Sequence, residues 1–199
     1  MKKIVVLALL MTLAAPGMAQ TKRIGILPFD DAAGVGPELG AQVALFIRAE
    51  LLKTRTAVPK FIQYTPEGEE AGPIDLEKAL ELGRKNEVDF VVIGTILEAE
   101  STSSESGIDG ISFDMGSVGA ALRKVKATIT IQGDLISVEK GTLIESYEAS
   151  GSKTDKTVGA DISTDWAGYN TDSSKGDGPN GKALREAVEK LVKWMVKKI

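Results

Sequence analysis

The side chains of this chain that could do chemistry are carboxylates and little else. In 199 residues there is no histidine and no cysteine. The commonest general base and the commonest metal ligand are therefore missing. Histidine triads, zinc sites and histidine-ligated haem are excluded by count. Asp161, Asp165, Asp172 and Asp177 lie near one another in sequence. A calcium loop needs ligands at alternate positions and a closing bidentate glutamate, and this spacing gives neither. The stretch from Gly34 to Gly40 follows a strand and opens a helix, as a dinucleotide loop would. Its spacing is not that of such a loop, and Pro37 removes an amide that a phosphate would need. Tyr64 stands where an acidic ribose ligand would be sought. Catalysis by two carboxylates requires a set separation in space, and spacing along the chain singles out no pair. The expectation is no enzyme, no metal and no cofactor.

What remains is the chemistry of contact. Ile111, Phe113 and Met115 alternate with Ser112, Asp114 and Gly116. Val158, Ala160, Ile162, Thr164 and Trp166 alternate with Gly159, Asp161, Ser163 and Asp165, and Tyr169 follows. Apolar-out, small-polar-in is the pattern of a barrel strand in a membrane. It is equally the pattern of a half-buried antiparallel strand. Ile111, Phe113, Met115, Val158, Ile162, Trp166 and Tyr169 are thus the candidate membrane or partner contacts.

The elements that must hold these segments can be read in order. Arg23–Phe29 is a short apolar strand ended by Pro28 and Asp30-Asp31. Pro37 suits the first turn of a helix, and Leu39, Val43, Phe46, Ile47, Leu51 and Leu52 carry it to about Thr54. Lys60–Tyr64 is a second strand candidate, followed by a Pro/Gly/Glu loop. Asp75 caps a second helix with Leu76, Ala79, Leu80 and Leu82 as its buried stripe. Asp89–Leu97 is continuously apolar, as a strand covered on both faces would be. Lys126–Val138 alternates, with a slip near Gly133. Lys140-Gly141 turns the chain, and Leu143–Ser150 returns beside it. A last helix begins near Gly181, with Leu184, Val188, Leu191, Val192, Met195 and Val196 on one face. The sum is an α/β fold: one layered domain, a mixed β-sheet with three main helices, and two hairpin or loop insertions at 98–125 and 152–180.

The N-terminus predicts export. Lys2 and Lys3 precede an apolar run from Ile4 to Ala15, and Gly17-Met18-Ala19 sets small residues before a cut at Gln20. Residues 1–19 read as a signal peptide and 20–199 as the working domain. With no cysteine after the cut, no lipid anchor is expected. The net charge is −4, and losing Lys2 and Lys3 makes the domain more acidic still. Without a basic cluster in its sequence, nucleic acid is not an expected partner.

The order of four motifs resembles the CsgG family. Ile24–Asp30 is similar to the family's opening strand. Leu82-Gly83 followed by Val88–Thr95 resembles its central signature of glycine, aspartate, apolar strand and glycine. Ile136–Ile144 resembles its hairpin tip, and Ala183–Val192 its closing helix. The namesake is the curli secretion channel of the bacterial outer membrane, and its two membrane hairpins sit where this chain has 98–125 and 152–180. Three departures stand out: the lipidated cysteine is missing, the loop after the first strand shrinks to Ala32–Gly36, and Thr65–Pro73 replaces an Arg/Glu-rich flank. The resemblance implies a non-enzymatic, outer-membrane-associated assembly or transport component in the periplasm, acting by homo-oligomerisation or protein binding. Its fold is also similar to that of periplasmic penicillin-binding-protein activators of the LpoB type, which implies the alternative: a soluble adaptor of a cell-wall enzyme.

Overall fold

A computed structural model describes residues 21–64, 73–106, 122–158 and 178–199. The element order is β1 (Lys22–Ile26), β2 (Asp30–Asp31), α1 (Pro37–Thr54), β3 (Ala57–Phe61), α2 (Leu76–Lys85), β4 (Phe90–Ser106), β5 (Leu122–Ser137), β6 (Thr142–Val158) and α3 (Pro179–Val196). The six strands form one sheet in the order β3-β1-β4-β5-β6, with β2 pairing β4 beyond the end of β1. β3, β1 and β4 are parallel, while β4, β5 and β6 are antiparallel. The sheet is mixed, as expected.

Helices cover both faces unequally. α1 and α3 pack on one face around Ile24, Ile26, Val92, Ile129, Ile131 and Leu135. α2 covers a smaller patch of the other, around Leu27, Val91 and Ile136. Val91 and Val92 are both fully buried, on opposite faces. The apolar run read as a doubly covered strand is one. Each such side chain contributes about 1.5–3 kcal/mol by leaving water. Asp75 caps α2, its carboxylate accepting from the Lys78 N–H at 2.8 Å.

Several boundaries differ from the sequence reading. The second strand is Ala57–Phe61, not Lys60–Tyr64. Pro59 lies at its centre, which an edge strand tolerates because the lost donor would face solvent. Leu76, assigned to a buried stripe, is exposed, as is Leu52 of the first helix. α3 starts at Pro179 rather than Gly181. Asp30-Asp31, read as a strand stop, makes a short parallel pairing with Thr95-Ile96. The slip near Gly133 is not a slip. Gly133 keeps the inward parity of Ala127, Ile129 and Ile131, and a Cβ there would lie 2.7 Å from the Leu191 side chain. The apolar side chain at that position is supplied by α3.

The two segments read as hairpin or loop insertions, 98–125 and 152–180, lie partly within the described residues. Residues 98–106, 122–125 and 152–158 are strand and continue β4, β5 and β6, in β4 after an irregularity at Leu97. On the helix side, Ala127 and Gly151 next to them are small where α3 packs, and Lys153 and Asp155 pair with α3. The outward positions of these strands are Ser, Thr, Glu and Lys. That mixture hides a covered strand from any test based on apolar alternation.

Candidate functional site

Beyond Ile96 the antiparallel half of the sheet becomes a three-stranded ribbon. A β-bulge between Ile96 and Glu98 starts it. Ile96 pairs with Ile131 and Glu98 with Thr130, so Leu97 is the extra residue and is exposed. The bulge reverses the parity of β4. Ala99 now lies on the side of the larger core and packs against it, and Glu98 and Glu100 lie on the other side.

The face turned away from α1 and α3 bears a polar ladder. Thr130 Oγ1 donates to Glu98 Oε2 at 3.1 Å and lies 3.0 Å from Ser150 Oγ. Thr128 and Ser152 hydroxyls are 3.3 Å apart. Farther out, Thr102, Lys126 and Thr154 share one rung, and Ser104, Lys124 and Lys156 the next. No described helix covers these rungs.

The opposite face of β6 is fixed to α3. Lys182 pairs with Asp155 at 2.8 Å and Lys153 with Glu186 at 2.7 Å. Lys190 bridges Glu186 at 2.9 Å and donates to the Ser150 carbonyl at 2.7 Å. The Lys153 and Lys190 ammoniums hold the Glu186 carboxyl down at about 2. Near the other end, Lys198 lowers the Glu145 carboxyl, and Tyr147 stacks on Trp194 with centroids 5.3 Å apart. Each exposed pair contributes little alone. Together they set where the helix sits along the strand.

A second feature is a cleft of about 730 Å³ at the C-terminal ends of β1 and β2, lined by Phe29, Asp30, Asp31, Tyr64, Ile93 and Asp134 among others. It lies beside the Gly34–Gly40 stretch. The Gly36 N–H, which a phosphate would use, is taken by the Asp31 carboxylate. Three aspartates and an occupied amide make the cleft hostile to phosphate. Among the described residues, no cluster of three carboxylates is arranged to hold a metal ion.

Of the seven contact candidates, Ile111, Phe113, Met115, Ile162, Trp166 and Tyr169 lie outside the described residues. So do Asp161, Asp165, Asp172 and Asp177. Val158 is the last residue of β6, in register with Leu122. The ribbon therefore leads directly into both candidate stretches, with Ser106 and Leu122 paired where β4 leaves and β5 returns. The sequence reading missed the Thr/Ser ladder. The signal for it was the even-numbered polar run Glu98, Glu100, Thr102, Ser104, whose parity makes sense only after the bulge.

Among the described residues, no helix is long and apolar enough to cross a membrane. Comparison with known proteins places this architecture. Among solved structures, a hypothetical protein, CT253, from Chlamydia trachomatis is 14% identical, with 89% of this chain and 97% of that one covered and a TM-score of 0.55. It shows the same fold. The PelC dodecamer from Paraburkholderia phytofirmans (13% identical, 89% and 90% covered, TM-score 0.46) and the LpoB C-terminal domain from Escherichia coli (15% identical, 69% and 87% covered, TM-score 0.39) are more distant. No curated protein sequence matches. The family model described as "Curli production assembly/transport component CsgG" matches residues 69–199, which include α2, the ribbon and α3. With most of its length so matched, the chain belongs to the CsgG family.

Proposed function

We propose that this protein is an exported, non-enzymatic component of the bacterial cell envelope. It acts by association, with further copies of itself and with protein partners at the periplasmic face of the outer membrane. One observation carries the reading: three long strands run out together, β6 ending at Val158, where one alternating stretch begins, and β4 at Ser106, a few residues before the other. A ribbon of that kind suits presentation of a contact surface. The lack of histidine and cysteine, and the carboxylate-lined cleft with its amide occupied, support a non-catalytic role. A family of assembly and transport components agrees with it.

Insertion of the ends as a barrel would require several copies. One chain brings too few strands to close, and open strand edges do not persist in lipid. The test is the size of the purified protein in detergent, for the intact form and for one lacking 157–169. A ring in the first, and a folded protein without ring or membrane association in the second, is the expected result. A monomer in both would overturn the oligomer reading and leave the soluble adaptor, whose ribbon face meets protein instead.

A further inference from the structure

The outer end of the ribbon gathers cations on one face. Val125 and Ala127 are fully buried toward the helices, so Lys124 and Lys126 stand on the open face. Both are exposed. Lys156, also exposed, lies directly across from Lys124 in the β5–β6 register. On the far side of this rung, β4 offers Ser104, and beside Lys126 it offers Thr102. β6 offers Thr154 beside Lys126. No acidic side chain shares either rung. Asp155 is engaged by Lys182, and Glu186 by Lys153 and Lys190, on the α3 face; Glu98 meets Thr130, and Glu100 stands on the open face one rung further in, level with Thr128.

Two lysines directly opposite one another across a strand pair repel. Such an arrangement costs stability in the free protein, and an anion that bridges them removes the cost. The patch also runs against the chain as a whole, whose net charge is −4. A long-range field does not account for it, so the interaction it serves is local. Same-face neighbours along a strand are about 7 Å apart and opposed residues about 5 Å. Three lysines thus leave the backbone within a few Å of one another towards the outer end of the three strands. Two residues past Lys156 the sequence begins to alternate Val158, Ala160 and Ile162 with Gly159, Asp161 and Ser163.

We infer that Lys124, Lys126 and Lys156 form a docking face for an anionic lipid surface, engaging phosphate headgroups at the point where the ribbon meets the bilayer. A cationic patch next to apolar residues suits the headgroup–acyl boundary, where each signal alone binds weakly and the two together bind well. The inference deepens the association reading but does not need a ring: a monomer that binds through these lysines satisfies it.

The test is vesicle co-sedimentation of the purified protein. One vesicle set is phosphatidylcholine with about 30% phosphatidylglycerol, chosen here as the anionic probe; the other is phosphatidylcholine alone. The protein is expected to bind the anionic vesicles, and to release from them when salt shortens the screening length to a few Å. A lysine near an anionic surface contributes about fivefold in affinity, so K124Q/K126Q/K156Q should lose about 100-fold. A control with the same total charge, K85Q/K140Q/K193Q, removes exposed lysines elsewhere and should lose little. Relief of the Lys124–Lys156 repulsion keeps the melting temperature of the patch variant at or above that of the parent. Failure of the parent to bind anionic vesicles overturns the inference, as does a patch variant that binds as well as the control. If the patch variant instead changes oligomeric size without lipid, the acidic surface of a second copy is the occupant, and the lipid assignment falls. Ring formation in detergent is read separately, so the association reading can survive any of these results.

Discussion

Gly151 of β6 lies beneath Ala183 of α3 at backbone contact. A Cβ at 151 would stand 1.9 Å from the Ala183 carbonyl oxygen. Helix and strand touch through main chain here, and α3 can lie flat on the ribbon only because residue 151 has no side chain. Gly151→Val should force the two apart, at a cost of about 3 kcal/mol. For a protein of this size that is a fall of about 6–12 °C in melting temperature. Thermal unfolding followed by circular dichroism checks it; an unchanged midpoint would show that α3 does not rest on β6.

Val92→Asp should leave no folded protein. Val92 is fully buried among Ile24, Ile96 and the α1 and α3 side chains. The substitution loses about 1–3 kcal/mol of packing and buries an unpaired charge that costs several more, against a total stability of about 5–15 kcal/mol. Loss of the cooperative unfolding transition is the expected reading.

Asn180, in the first turn of α3, is 1% exposed, and neither its Oδ1 nor its Nδ2 has a hydrogen-bond partner among the described residues. A buried amide without partners opposes folding, and alanine is the better helix former. Asn180→Ala should therefore raise stability, by about 1 kcal/mol. A lowered denaturation midpoint would mean the amide is satisfied in solution.

The Glu186 carboxyl is held at about 2 by Lys153 and Lys190, below the ordinary glutamate value of about 4.3. The unfolded chain takes up this proton first as pH falls. The stabilisation is complete above about 4.3 and is lost as pH drops towards 2. Glu145, lowered by Lys198, acts in the same direction. Glu186→Gln should flatten the fall in melting temperature across that window and leave the slope above pH 5 unchanged.

If residues 1–19 are a signal peptide, periplasmic material should begin at Gln20. Intact-mass measurement checks this directly. A mass that still contains Met1–Ala19 would remove the export reading.

The sequence by itself determined the layered α/β plan, because continuous apolar runs and helical stripes are local patterns. Val88–Thr95 and Ala183–Val192 needed no partner to be read, and their order carried the family resemblance. The absence of histidine and cysteine was equally plain. The tertiary structure alone decided the ribbon. Glu98 to Ser106 has no apolar stripe to betray a strand: Ala99 is its one apolar residue, and Thr102, Ser103 and Ser104 are exposed. The Leu97 bulge then reverses which face each residue takes, and a bulge is a property of two paired strands. Gly133 shows the same dependence, because its buried position is occupied by Leu191 from 58 residues away. The lysine face follows from register: Lys124 and Lys156 are distant in sequence, and only the β5–β6 pairing sets them side by side.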